Sequence, residues 1–264
     1  MDLGLRGRVA IVCAASQGLG KATAMGFARE GANVVICSRD RRRIAAAAKE
    51  IASVARNVRV VPVVADLSKA ADIKRLVATA LKKFHRVDVL VTNSGGPPVA
   101  PFPDLDDATW QKGVELTLMS AVRCIRAVLP HMRNQKWGRV IAITSIAAKQ
   151  PLDDIVVSST LRPGILGLAK VLSNQYAKDG VLVNCVTPGF ILTARQKEIS
   201  AARAAKERTT AEEYIRESSR AVPLGRFGDP EELANVIVFL GSERASYVNG
   251  ATIAVDGGLA RGLF

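Results

Sequence analysis

"RVAIVCAASQGLGKATAMGFAREGANVVICSRD", residues 8–40, decides the fold. A short β-branched run gives way to a glycine turn, then to a segment of helix formers, then to a second apolar run "NVVIC" at 33–37. Strand, turn, helix and strand within about thirty residues make one βαβ unit, the building block of a parallel sheet. Gly18 and Gly20 stand where the turn enters the helix, and glycine there lets the backbone approach a pyrophosphate held by the helix's unpaired N–H groups. The spacing therefore points to a dinucleotide. Ser38 and Arg39 close the second strand where an NAD site offers a carboxylate to the ribose, so NADP(H) is favoured over NAD(H), although Asp40 follows directly.

Five further runs continue the alternation: "VRVVPVV" at 58–64, "VDVLVT" at 87–92, "GRVIAIT" at 138–144, "VLVNCVT" at 181–187 and "ATIAVD" at 251–256. Most are continuously apolar, as expected when helices cover both faces. The expected fold is α/β: a single Rossmann domain over 1–264, with a seven-stranded, mostly parallel, doubly wound sheet. Pro62 lacks a ladder donor and so assigns its strand to an edge, the place of the third strand in the order 3-2-1-4-5-6. The long polar stretch at 193–222 reads as a helical lid over the sheet's carboxyl edge, where a substrate would enter.

Apolar residues make up 48% of the 264, and no run reaches the length needed to span a bilayer, so no membrane association is expected. "VAIVCAA" at 9–15 is too short for a bilayer and too closely followed by the turn to be a secretory leader. Cys13, Cys37, Cys124 and Cys185 form no C-x-x-C, and His85 and His131 have no neighbouring ligand cluster. No metal and no disulfide framework are expected, in a cytoplasmic, reducing setting. The net charge of +13 is spread through helices rich in acidic neighbours, with "RDRRR" at 39–43 the one dense cluster. It suits a phosphorylated cofactor or an acyl-thioester substrate as well as nucleic acid, and no nucleic acid is expected as partner.

With these residues placed, the chain resembles the short-chain dehydrogenase/reductase family, especially its acyl-carrier-protein reductase-like members, over nearly its whole length. "CAASQGLG" is similar to the family's T-G-x-x-x-G-x-G turn, which implies cofactor contacts from Ala14, Ser16, Gly18, Leu19 and Gly20. "VADLS" resembles the segment whose Asp66, followed by Leu67, meets the adenine, and "TNSGG" resembles N-N-A-G, implying Asn93, Ser94 and Gly95. "VNCVTPGFILT" implies Pro188, Gly189, Ile191 and Thr193 around the nicotinamide. The carboxyl-terminal segment is similar to one that builds homotetramers, so a homotetramer or homodimer is expected.

The departures are as specific as the matches. Ala14 replaces the family's first glycine, Cys13 its threonine, Thr92 an asparagine and Thr117 a structural asparagine. "AITSIAA" implies Ser145 as the catalytic serine. Thirteen residues on, however, where the resemblance expects Y-x-x-x-K, the sequence reads "SSTLR", with Ser158 and Arg162 in the tyrosine and lysine positions. Four apart in a helix, the two lie on one face and can act together. Equally, "SST" before Pro163 can cap the helix while Arg162 faces solvent. The chain therefore reads as an atypical NADP(H)-dependent oxidoreductase of carbonyls or alcohols with Ser145, Ser158 and Arg162 as its catalytic residues. The alternatives are a catalytically degenerate ligand-binding protein and, more remotely, a non-redox enzyme.

Overall fold

The computed structural model describes residues 1–153 and 155–262. Seven strands, β1 (Val9–Val12), β2 (Asn33–Ser38), β3 (Val60–Val64), β4 (Val89–Thr92), β5 (Gly138–Ile143), β6 (Val181–Pro188) and β7 (Thr252–Val255), form one sheet. Its order is β3-β2-β1-β4-β5-β6-β7, and every pairing is parallel. β3 is an edge, as Pro62 requires: the proline sits opposite Ile36 of β2 and its other side has no neighbour. Several strands are shorter than their apolar runs. The chain continues to bond beyond them, as where Cys13 N–H donates to Val91 and Ala15 N–H to Cys37, so the apolar run outlasts the regular ladder.

The helices among the described residues are α1 (Gly18–Arg29), α2 (Arg41–Ser53), α3 (Ala70–Phe84), α4 (Asp107–Gly113), α5 (Ser120–Gln135), α6 (Val156–Tyr176), α7 (Ala194–Glu207), α8 (Ala211–Ser219) and α9 (Pro230–Leu240). Alternation along β1 divides six of them into two layers. Val9, Ile11 and Cys13 pack with Leu76 of α3, Val128 and Met132 of α5, and Ile165 of α6. Ala10 and Val12 pack with Phe27 of α1, Ile44 and Ile51 of α2, and Leu233 and Ile237 of α9. Each fully buried Ile, Leu or Phe contributes about 1.5–3 kcal/mol, and two such layers hold the carboxyl ends of the strands in one fixed row. The four cysteines are free and buried within these layers.

The turn after β1 shows what the glycine pattern accomplishes. A Cβ on Gly20 would lie 2.5 Å from the carbonyl oxygen of Ala14, so α1 starts in contact with the strand end only because that Cβ is missing. Gly18 has φ +57°, and Ala14 also adopts a left-handed conformation, with φ +49°. An L-residue with a Cβ is strained there by about 1–2 kcal/mol. The departure at Ala14 thus falls on a backbone position that glycine suits. The substitution Ala14→Gly is expected to stabilise the protein by about 0.5–1 kcal/mol, the relief of strain outweighing the added freedom of the unfolded chain. Urea unfolding measures this directly. A loss of stability would mean that the Ala14 backbone is not left-handed in solution.

Candidate active site

A cleft of about 310 Å³ opens at the carboxyl ends of β1, β2, β3 and β4. β1 and β4 lie side by side but follow opposite directions of winding, the switch point at which open α/β sheets bind ligands. Of the residues expected at a cofactor, Ala14, Ser16, Gly18, Leu19, Ser38, Arg39, Asp66, Leu67, Asn93, Ser94, Gly95 and Thr193 line it. Gly20, Pro188, Gly189 and Ile191 do not. Gly20 acts from behind, by its contact with Ala14. Gly189 is packed against Asp256, and Ile191 turns into a second hollow of about 500 Å³ beside Leu224 and Arg226.

The walls suit a polyanion. Gln17 precedes α1 without a side-chain cap, and the first turn of α1 holds no acidic residue, so its amino-terminal N–H groups and positive dipole end face the cleft unneutralised. The cleft also includes Arg43 and Arg195, which the sequence reading leaves out. Arg43 belongs to the basic cluster already noted, and Arg195 lies two residues beyond Thr193 in the segment read as a lid. Its Nη2 donates to the carbonyls of Gly96 (3.4 Å) and Pro97 (3.3 Å), spanning the mouth between α7 and the loop after β4. Asp40, whose position complicated the choice of cofactor, caps α2. Its carboxylate accepts from the Arg43 N–H at 2.9 Å and pairs with Arg43 Nε at 3.4 Å. These contacts, chiefly the backbone hydrogen bond, hold it below the usual carboxylate range.

Ser145, Ser158 and Arg162 lie outside the cleft lining; Ser158 and Arg162 are bonded to each other, and Arg162 also to the backbone just before Ser145. Ser145 follows β5 and starts a short 3₁₀ turn, its Oγ accepting from the Ala147 N–H at 3.1 Å. Ser158 and Arg162 are both in the first two turns of α6, at 5% and 8% exposure. Arg162 Nε donates to Ser158 Oγ at 2.9 Å, and its Nη1 donates to the carbonyl of Thr144 at 2.7 Å and to that of Ile143 at 3.4 Å. The cap-and-surface alternative therefore fails on geometry. Ile155, not a serine, precedes the helix, Pro163 sits inside α6, and Arg162 points inward. Ser159 makes the local backbone contact instead, its Oγ accepting from the Leu152 N–H at 3.1 Å.

Burial pushes the Arg162 guanidinium down to about 10, and the positive charge of Arg195 adds to the effect. Arg162 stays charged at neutral pH but has no carboxylate partner among the described residues. Nearby, residues Val114–Met119 form a π-helical turn, a feature common at functional sites. Thr117 lies within it, and its Oγ1 is the one sealed, unpartnered side-chain polar atom among the described residues.

The likenesses to known proteins agree with this geometry. The family model described as enoyl-(acyl carrier protein) reductase matches residues 13–260. A 3-oxoacyl-[acyl-carrier-protein] reductase of Synechocystis is 34% identical, covering 97% of this chain and 98% of its own. The crystal structure of L-sorbose reductase from Gluconobacter frateurii, complexed with NADPH and L-sorbose, superposes with a TM-score of 0.95 at 34% identity over 100% of both chains. An NADPH-bound short chain oxidoreductase from Pseudomonas aeruginosa PAO1, described as containing an atypical catalytic center, gives 0.88 at 28% identity over 97% of each. Sequence and sheet order, the glycine turn and the serine after β5 thus converge on one assignment: the chain belongs to the short-chain dehydrogenase/reductase family and is an oxidoreductase of its acyl-carrier-protein reductase-like type.

Proposed function

We propose that the enzyme is an NADP(H)-dependent oxidoreductase that interconverts a carbonyl and an alcohol at Ser145, Ser158 and Arg162, beneath the α7–α8 segment acting as a lid. The observation that carries this reading is the single cleft in which the glycine turn, Ser38 and Arg39, Asp66, Asn93 to Gly95, and Thr193 all meet. The choice of NADP(H) rests on charge. Asp40 is engaged by the α2 amino terminus and Arg43, whereas Arg39 lines the cleft and donates to no protein atom among the described residues. A 2′-phosphate would find Arg39 and Arg43 together; a bare ribose would find no free carboxylate there. The NADPH complexes of the Gluconobacter and Pseudomonas relatives support the same choice.

When bound, NADPH supplies a hydride to the carbonyl carbon. The chain's own residues manage the oxygen. Ser145 Oγ accepts from a backbone N–H and Ser158 Oγ from Arg162, which leaves each hydroxyl its own proton to donate. Directed at one carbonyl oxygen, the two donors would stabilise the charge that develops on it. The bond from Arg162 is charge-assisted and makes Ser158 a better donor than an isolated serine. Ser158 passes its proton to the alkoxide and recovers one from water. Because a serine remains a weaker acid than the family's tyrosine, turnover is slow.

Two measurements test this reading. NADPH is expected to bind about tenfold more tightly than NADH, or about 1.4 kcal/mol, with Arg39→Asp erasing the preference; equal affinities in the unmodified protein would overturn the cofactor choice. In steady-state reduction of an activated ketone, Ser145→Ala is expected to lower kcat/KM by about 10²-fold while NADPH affinity stays the same. An unmodified protein that binds NADPH yet reduces no ketone would favour the ligand-binding alternative.

A further inference from the structure

Asp66 and Leu67, in the turn that follows β3, form part of the cleft wall. The turn is closed by the Lys69 N–H, which donates to the Asp66 carbonyl at 2.9 Å. Within it the Asp66 carboxylate is held through one oxygen. Oδ1 accepts from the Ser68 N–H at 3.0 Å and from Ser68 Oγ at 2.8 Å, whereas no donor reaches Oδ2 among the described residues. The Leu67 N–H likewise donates to no protein acceptor among them. Adjacent residues of the wall thus keep an acceptor and a donor in reserve, the complement of the amino group and ring nitrogen at the edge of adenine and the reverse of what hypoxanthine offers.

One side chain from a distant element reaches this turn. Arg123, on α5, donates from Nη1 to the Ser68 carbonyl at 3.0 Å and to Glu115 Oε2 at 2.5 Å, so the two N–H groups of one nitrogen are divided between them. Glu115 belongs to the π-helical turn, next to Leu116, which lines the same cleft. Arg123 lines no part of the cleft itself, and its reach into the wall passes through Ser68. A partly exposed ion pair adds little to fold stability. The direction it imposes matters more, because Ser68 is the residue whose N–H and Oγ orient Asp66, and a charged donor holds a carbonyl more firmly than a neutral one.

We infer that Arg123 is a positioning residue that sets the base specificity of the cofactor cleft: it holds the Ser68 carbonyl, Ser68 orients the Asp66 carboxylate, and Oδ2 accepts from the 6-amino group of adenine while the Leu67 N–H donates to the ring nitrogen beside it. The inference rests on the dinucleotide reading above. Without Arg123, Asp66 and Leu67 remain, but the carboxylate is no longer fixed in advance, and selectivity for the amino group falls.

The test is calorimetric titration with NADP⁺ and with its hypoxanthine analogue, in which an oxo group replaces the 6-amino group. The unmodified protein is expected to bind NADP⁺ about tenfold more tightly than the analogue. Arg123→Met should lower that ratio to about threefold or less, chiefly by weakening NADP⁺, and Arg123→Lys should restore part of it, since an ammonium can still donate to a carbonyl. Ser68→Ala keeps the carbonyl that Arg123 holds yet removes one of the two donors to Asp66, and should lower the ratio in the same direction. An equal loss of affinity for both dinucleotides in Arg123→Met, with the ratio unchanged, would make Arg123 a structural clasp and overturn the inference. So would an unmodified protein that binds the two alike. A protein that binds neither dinucleotide overturns the cofactor reading, and this inference with it.

Discussion

The guanidinium of Arg162 joins the end of strand β5 to the start of helix α6. Through Nη1 it holds the carbonyl ends of β5, immediately before Ser145, and through Nε it holds Ser158 on α6. A lysine would offer its three donors from a single nitrogen, whereas the planar fork serves both partners from separate nitrogens. This single group therefore fixes the distance between strand and helix and the direction in which Ser158 can donate. It also brings into the interior a positive charge that no residue of the described chain neutralises.

The architecture around this joint was largely legible in the sequence because strong, independent patterns specify it. β-branched runs give the strands, Pro62 gives the edge, and Gly18 and Gly20 give the turn, each for a steric reason that acts within a few residues. What the sequence could not decide was the state of Ser158 and Arg162. Four-residue spacing places both on one helical face, but whether that face turns to solvent or to β5 depends on packing between segments far apart in the chain. Pro163 seemed to favour a helix end; instead α6 runs through it, held by its contacts with β6 and with the turn after β5.

Charge roles were hidden for the same reason. In the sequence Asp40 stands beside Arg39 as a plausible ribose ligand, and only the geometry shows its carboxylate turned back onto the start of α2. Arg195 reads as one basic residue among many in a polar stretch until the fold brings it across the mouth of the cleft, against Gly96 and Pro97. The left-handed backbone at Ala14 is the reverse case. The resemblance marked it as a glycine position, and the torsion angle supplies the physical reason.

The central claim is that Ser158 and Arg162 occupy the places of an acid and its activating cation, joined to β5 as an intact but altered site. The most direct measurement is NADPH-dependent reduction of a neutral activated ketone by the double variant Ser158→Tyr, Arg162→Lys. With the sheet, cleft and Ser145 unchanged, restoring a phenol and an ammonium at the same helical spacing is expected to raise kcat/KM by about 10²-fold, the lower end of what a positioned acid contributes, because Thr117 stands in place of the supporting asparagine. Adding Ser145→Ala should abolish the gain. A folded, NADPH-binding double variant with no increase at all would contradict the claim.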